Sequence, residues 1–376
     1  MGFWEQVGSV AAQTAGLCAF VVALLLVATR RLHARFSADA VRGVQRNHRG
    51  LIPRIGGLPL LAGTVLGWYF SVGETRQMLK VLLLSGSLAF GFGLLEDLTR
   101  RVSVRTRLLA TMGSGLLAWA MSGIHITDID LPGLGPVLLW TPFAVLFTAF
   151  AVGGVANAFN LIDGFNGLAV GTALLQLSAL GLLSIHLGDG QLSAVCLVLA
   201  AAAAGFMLLN WPFGRLFLGD GGAYFLGFAV AWVAVLLLYR HTDVSAWCPL
   251  LICAYPVLEV LFSMWRRHMR RRGVGQADRL HLHSLLKRRV VRQWLPHASQ
   301  LMRNSVTGVL MWFITLPLAA LGFAWQDQTL LLMLCLAVFV LLYQVLYVRL
   351  IRFHWCLPGR DRAAPLQKPA PLPTQP

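Results

Sequence analysis

The chain has 376 residues, of which 57% are hydrophobic and only 12% are charged, and its formal net charge at pH 7 is +16. Soluble domains carry about 25% charged residues, so the composition excludes an ordinary soluble enzyme and indicates an integral membrane protein. The basic excess does not require a nucleic acid partner, because Lys and Arg concentrate on the cytoplasmic side of membrane proteins.

Eleven apolar runs match the roughly 17–25 residues that a helix needs to cross a bilayer. They occupy approximately 7–29, 51–72, 79–95, 107–123, 137–156, 168–187, 192–210, 223–239, 247–264, 306–324 and 329–348. Membrane β-strands are excluded because they alternate apolar and polar residues. The predicted fold is all-α, a polytopic transmembrane helical bundle. We expect one transmembrane domain over 1–356 and a disordered, Pro-rich cytoplasmic tail over 357–376.

The basic residues predict the orientation of these spans. With the N-terminus outside, all but three of the 31 Lys and Arg residues fall in the segments that face the cytoplasm. The exceptions are Arg76, Lys80 and Arg240. This asymmetry follows the positive-inside rule, and the basic face is expected to attract anionic headgroups of the lipid bilayer.

The first two inside segments combine cations with acids. "RNHRGLIPRIGGLPL", which precedes the second apolar run, offers His48 and Arg54 as donors to an anion. "GLLEDLTRRVSVRTR" places Glu96 and Asp97 side by side at the end of the third run. Adjacent carboxylates repel unless a cation lies between them, so this pair indicates a functional site.

Two Gly-rich turns extend the pattern on the same face. "NAFNLIDGFNGLAVG" supplies Asn157, Asn160 and Asp163, whose side chains offer hard oxygen ligands and amide donors. "LLNWPFGRLFLGDGGAYFLG" supplies Asn210 and then Asp220 just before a helix. Backbone N–H groups at such a turn bind phosphate, and Asp oxygens suit Mg²⁺. Together the two turns predict a site for a magnesium-bound diphosphate.

The longest inside segment contains "ADRLHLHSLLKRR", with Arg279, His281 and His283. The two histidines are two residues apart, so they share one side only if the backbone there is extended. They lack the partners of a zinc site and fit better as donors to a phosphate or a sugar. A solvated basic loop that only enforces topology is the alternative interpretation.

Five motifs in order between about residues 46 and 286 resemble the polyprenyl-phosphate N-acetylhexosamine-1-phosphate transferases. These motifs are "HRGLIPRIGG", "GLLEDLTRRVSVRTR", "NAFNLIDGFNGL", "FLGDGGAYFLG" and "DRLHLH". The superfamily also contains the phospho-MurNAc-pentapeptide translocase. The resemblance implies transfer of a sugar-1-phosphate from a UDP-amino sugar to undecaprenyl phosphate, with release of UMP. It implies Mg²⁺, or alternatively Mn²⁺, a bacterial inner membrane and a cytoplasmic active site.

Site roles follow from the resemblance and from the chemistry of the side chains. Glu96, Asp97 and Asp163 are the expected catalytic carboxylates, and Asn160 and Asp220 are the expected metal ligands. The expected substrate-binding residues are His48, Arg54, Asn157, Asn166, Asn210, Arg279, His281 and His283. The chain departs from the family pattern at Glu96 and Asn166, which replace Asp, and at Ser284, which interrupts a run of His.

Other functions are less compatible with the residues. An anion transporter is expected to hold its ionisable residues at the bilayer midplane, whereas Glu259 is the one acid within a predicted span, close to the inner end. A phospho-MurNAc-pentapeptide transferase remains an alternative to an enzyme that starts an O-antigen-type polysaccharide. A homodimer is one open alternative for the oligomeric state.

Overall fold

The structure is a computed structural model that describes residues 3–37, 52–131, 133, 135–269 and 280–352. Its helices are α1 (Phe3–Ala28), α2 (Arg30–Ser37), α3 (Gly57–Phe70), α4 (Gly73–Thr99), α5 (Val104–Ser122), α6 (Gly135–Leu138), α7 (Thr141–Ile162), α8 (Leu168–His186), α9 (Gly190–Asn210), α10 (Gly219–Arg240), α11 (Trp247–Ile252), α12 (Ala254–Met269), α13 (Leu282–Leu286), α14 (Arg292–Trp294), α15 (Gln300–Ala324) and α16 (Thr329–Ile351). A π-helical turn, Lys287–Val291, joins α13 to α14. The described residues form no β-strand, which confirms the all-α class.

Eight helices in the described part of the chain are long and apolar enough to cross a membrane. They are α1, from Gly8 onward, and α4, α7, α8, α9, α10, α15 and α16. A multi-pass helical membrane protein is therefore confirmed, at a lower span count than the eleven predicted. The predicted tail, 357–376, lies outside the described residues.

The three remaining apolar runs are helical but differ from simple spans. In the run 51–72, α3 has only 14 residues because it begins after Pro53. In the run 107–123, α5 begins with Arg105 and Arg107 in its first turn, which lowers its mean hydropathy. The run 247–264 is divided between α11 and α12 at Cys253.

Helix α10 forms the centre of the bundle. It packs against α3, α4, α7 and α8, and its Phe225, Phe228 and Trp232 are fully buried. A helix that is apolar on all sides is stable only when other helices surround it. Its first residues are therefore held in place by several neighbouring helices.

Two glycines allow the end of α4 to approach the start of α10. A Cβ on Gly93 would lie 2.6 Å from the Gly221 Cα, so a larger residue would separate the helices. Gly219 has a φ of +73°, and a Cβ there would lie 2.6 Å from Asp97 Oδ2 and would clash with the Arg54 carbonyl oxygen. Glycine tolerates both the left-handed backbone and the close approach. The result is direct contact between α4 and the N-terminus of α10.

The helix termini define two ends of the bundle. The end that we call the site end contains the last turns of α4, α7 and α9 and the first turns of α5, α8 and α10. The opposite end contains the start of α4, the α8–α9 turn and the end of α10. Ion pairs join the helices at both ends. The motif acids Asp97, Asp163 and Asp220 all lie at the site end.

Candidate active site

Asp97 caps the N-terminus of α10 from the neighbouring helix α4. Its Oδ1 accepts the Asp220 N–H at 2.9 Å, and its Oδ2 accepts the Gly221 N–H at 3.0 Å. A carboxylate is favourable here because the first N–H groups of a helix lack intrahelical partners and carry partial positive charge. Asp97 therefore fixes the position of Asp220.

Asp220, in the first turn of α10, pairs with two arginines. Arg107 Nη1 donates to Asp220 Oδ2, and Arg54 Nη2 lies 3.4 Å from Asp220 Oδ1. Arg54 is also 3.9 Å from Asp97 Oδ1. The arginines come from α5 and from the segment before α3, which are distant in sequence. Their guanidinium groups can bind phosphate as readily as carboxylate.

Arg107 is a site residue that sequence reasoning missed. It is one of four arginines in "GLLEDLTRRVSVRTR", and the sequence alone does not show which of the four reaches the site. The signal is its position in α5, one turn into a helix whose N-terminus lies at the site end. There Arg107 is half-buried, whereas Arg105 is exposed.

Asp163 follows the last residue of α7 and is close to the other two carboxylates. Burial raises its pKa to about 7; Arg54 acts against this, Asp220 and Asp97 add to it, and the Gly219 N–H lowers it. An ordinary Asp titrates near 3.9. The arginines present therefore offset only part of the negative charge. A carboxylate in this state favours the arrival of a cation.

Glu96 and Asn160 lie beside this cluster. Glu96 Oε2 accepts the Val102 N–H at 2.8 Å, which closes the loop between α4 and α5. Asn160 is half-buried on the last turn of α7, three residues before Asp163. Residues three apart on a helix share a face, so Asn160 and Asp163 can serve one ligand.

Asn157 and Asn210 hold helices together in this structure. Asn157 Nδ2 donates to Thr111 Oγ1 and to the Gly153 carbonyl, both at 2.8 Å. Asn210 Oδ1 accepts the Gly167 N–H at 2.7 Å, and its Nδ2 donates to the Leu216 carbonyl at 2.8 Å. Both residues therefore shape the turns around the acids.

Asn166 is buried beside the turn that precedes α8. Its Nδ2 lies 3.5 Å from Ser305 Oγ, and its Oδ1 is buried with no hydrogen-bond partner among the described residues. Buried carbonyl oxygens in folded proteins are nearly always paired, so this atom is an acceptor available to a ligand or a water molecule.

His281 and His283 are buried, at 8% and 3% exposure, and are not part of a solvated loop. The backbone at His281 is extended, and the two rings stack with centroids 5.3 Å apart. Burial lowers the pKa of His283 to about 4; Glu259 raises it and His281 lowers it. His283 is therefore neutral at pH 7. The other two predicted donors, His48 and Arg279, lie outside the described residues.

Among the described residues, no three His, Cys, Asp or Glu side chains form a ready metal cage. Mg²⁺ commonly binds through one or two carboxylates together with substrate phosphates, so such a cage is not required. Asp163 and Asp220, with the amide oxygen of Asn160, match that donor chemistry.

Comparison with known proteins shows similarity to a family of glycosyl transferases and to individual transferases. The family described as glycosyl transferase family 4 matches residues 79–238, a region that includes Asp97, Asp163 and Asp220. A probable undecaprenyl-phosphate N-acetylglucosaminyl 1-phosphate transferase of Bacillus subtilis (strain 168) is 26% identical over 71% of this chain and 76% of its own length. An undecaprenyl-phosphate alpha-N-acetylglucosaminyl 1-phosphate transferase of Yersinia pestis is 28% identical over 72% and 74%. A phospho-N-acetylmuramoyl-pentapeptide-transferase of Clostridium perfringens (strain 13 / Type A) is 34% identical over 49% and 61%. The chain is therefore similar to glycosyl transferase family 4 over residues 79–238 and to transferases that act on undecaprenyl phosphate over about 70% of its length.

Proposed function

We propose that this protein transfers an N-acetylhexosamine-1-phosphate from a UDP-amino sugar to undecaprenyl phosphate and releases UMP. The observation that carries the proposal is the cluster of Asp97, Asp163 and Asp220 with Arg54 and Arg107, most of it within the matched family region. The site lies at the ends of apolar helices. A lipid phosphate and a soluble nucleotide sugar can meet there.

The arginines and acids have complementary roles in this reaction. When the donor's diphosphate enters, Arg54 and Arg107 bind its oxygens, and Asp220 is released from their ion pairs. Asp163, Asp220 and Asn160 would hold Mg²⁺, or Mn²⁺, and the ion would neutralise part of the phosphate charge. Asp97 keeps α10 in position throughout, and Glu96 maintains the α4–α5 loop.

The transfer is a direct displacement. An anionic oxygen of undecaprenyl phosphate attacks the β-phosphorus of the UDP-sugar, and the bond to the bridging oxygen of UMP breaks. A phosphomonoester is largely ionised at pH 7, since its second pKa is near 6, so no enzyme nucleophile is required. Phosphoryl transfer then depends on positioning and on charge neutralisation, which Asp163 and the arginines provide. A covalent intermediate on Asp220 or Glu96 is the alternative route.

The protein acts in the bacterial inner membrane, with eleven passages, the N-terminus outside and the site end in the cytoplasm. The helix order supports this, because α1, α3, α4, α5, α7, α8, α9, α10, the α11–α12 pair, α15 and α16 provide eleven segments. Successive segments run in alternate directions. In this arrangement Arg54 and Arg107, which lie at the site end among the described residues, face the cytoplasm in agreement with the positive-inside rule.

A donor panel tests the proposal. Purified protein with Mg²⁺ and undecaprenyl phosphate is given UDP-GlcNAc, UDP-GalNAc or UDP-MurNAc-pentapeptide, and UMP and lipid products are measured. Product from an N-acetylhexosamine donor supports an enzyme that starts an O-antigen-type polysaccharide. Product from UDP-MurNAc-pentapeptide alone supports the second candidate, which the relative of Clostridium perfringens favours. Light scattering of the same sample tests for a homodimer.

A further inference from the structure

Glu259 is a fully buried carboxylate on α12 that joins three helices. Its Oε1 accepts the Leu282 N–H at 2.9 Å and lies 3.2 Å from His281 Nδ1. Its Oε2 accepts the Tyr343 hydroxyl at 3.0 Å. A buried charge is costly unless it is paired and hydrogen-bonded, and these contacts provide such partners.

The backbone of residues 280–282, which we call the strap, is also held by Arg266, about two turns after Glu259 on α12. Its Nη1 donates to the Leu280 carbonyl at 3.0 Å and to the Tyr347 hydroxyl at 2.8 Å. Glu259 holds the Leu282 N–H on the other side of His281. The backbone is thus fixed both before and after this histidine, by two side chains of one helix.

The histidine pair connects this network to the carboxylates. His281 stacks on His283 with an angle of 10° between the rings. The rings of His283 and Phe165 form a T-shaped contact with centroids 5.4 Å apart, and a Cβ on Gly164 would be 3.2 Å from His283 Nε2. Gly164 directly follows Asp163. The stacked histidine pair therefore contacts the turn that carries Asp163.

We propose that Glu259 is a positioning residue for the nucleotide-sugar donor. Its carboxylate, together with Ser263 Oγ at 3.1 Å, occupies Nδ1 of His281 and leaves Nε2 of that ring for the donor, while Glu259 also holds the strap at Leu282. Hydrogen bonding at one imidazole nitrogen sets the role of the other, and partners of this kind are needed for full activity. The inference rests on the function proposed above.

Donor kinetics of the Glu259→Gln variant test the proposal. Glutamine keeps the size and an acceptor oxygen but loses the charge. We expect the KM for UDP-GlcNAc to rise about 10–100-fold, in the range found for other orienting partners, with an unchanged KM for undecaprenyl phosphate. Glu74→Gln, which removes an exposed carboxylate at the opposite end, is the matched control and should leave both KM values unchanged.

Tyr343→Phe, which removes one hydrogen bond without unpairing a charge, provides a second variant if Glu259→Gln does not fold. Its donor KM should rise several-fold.

A double variant separates positioning from general stability. Because Glu259 acts through His281, Glu259→Gln combined with His281→Ala should have a donor KM within about twofold of His281→Ala alone. Effects that multiply, or an unchanged donor KM in folded Glu259→Gln and Tyr343→Phe, would overturn the positioning role while the wild type stays active. A wild type that makes no lipid product from any UDP-amino sugar would overturn the proposed function and this inference together.

Discussion

Both ends of the bundle contain arginine–carboxylate ion pairs, but the balance between positive and negative charge differs between them. At the opposite end, Arg240 Nε lies 2.5 Å from Asp189 Oδ2, and its Nη1 lies 3.1 Å from Glu74 Oε2. Asp189 also accepts from the Leu192 N–H and contacts His241. Burial alone would raise the pKa of Asp189, but Arg240, Leu192 and His241 hold it below its usual value. This network is complete without a ligand.

The site end is incomplete by comparison. Three carboxylates share Arg54 and Arg107, and the pKa of Asp163 rises to about 7. An ion network with satisfied charges joins helix ends, whereas one with excess negative charge favours a cation. Substitutions at either end of the bundle test this distinction.

The largest effect is expected for Asp220→Asn. Loss of this carboxylate removes the partner of Arg54 and Arg107 and the ligand that we propose for Mg²⁺, so kcat should fall by a factor on the order of 10³, comparable with loss of a strong electrostatic contact in other enzymes. UMP release measures the rate. Asp189→Asn, the matched change at the opposite end, should keep nearly full kcat. Equal losses in the two variants would contradict the comparison.

Arg107→Gln should have the next largest effect. Removing one buried charged contact costs about 2–5 kcal/mol, and here it should appear in kcat/KM for the UDP-sugar. Arg105→Gln, an exposed change in the same turn, is the control and should retain wild-type kinetics. Equal behaviour of the two variants would remove Arg107 from the site.

The pH dependence of thermal stability tests the excess charge directly. Folded Asp163 binds its proton up to about pH 7, whereas the unfolded chain releases it near 3.8. The folded state therefore binds more protons between these values, and its free energy of unfolding falls as pH rises. Without Mg²⁺, the wild-type Tm in detergent should decrease from pH 5 to pH 8. Asp163→Asn should flatten this decrease, and an identical slope in the variant would show that Asp163 does not cause it.

The smallest effect is expected at the opposite end. Asp189→Asn should lower the Tm by a few degrees at pH 7 with unchanged donor KM, because the pair with Arg240 is partly exposed to solvent. The stability that the lowered pKa of Asp189 contributes is present above its unfolded pKa and is lost as pH falls through its folded value. Wild type and variant should therefore begin to approach each other in Tm below about pH 4 and converge only below the lowered folded pKa of Asp189. A difference that persists there would exclude the ion pair as its cause.

The helices and the position of the acids at their ends could be predicted from sequence. Long apolar runs require helical hydrogen bonding in a bilayer, and polar motifs therefore fall at the span ends. The residue types also predict that the acids bind a cation, and this stays a prediction. The division of the run 247–264 at Cys253 could not be predicted. The run contains Pro249 and Pro256, but neither residue lies at the break.

The individual partners at the site could not be predicted. Asp97 caps α10 by accepting the N–H of Asp220, 123 residues later, and Arg107 meets Asp220 across 113 residues. Such pairs arise from tertiary packing, which no local pattern encodes. The stacking of His281 on His283 is a local contact by contrast. The spacing of the two residues predicts that their side chains share one side if the backbone is extended, and the backbone at His281 is extended.

The central claim is the transfer of a sugar together with its phosphate, and one isotope experiment tests it most directly. Purified protein receives Mg²⁺, undecaprenyl phosphate and UDP-GlcNAc labelled with ³²P at the β-phosphate. We predict that the label enters the lipid fraction and that one UMP is released for each labelled lipid, and that Asp220→Asn abolishes both. Label that remains in UDP, or a lipid product without ³²P, would contradict the account.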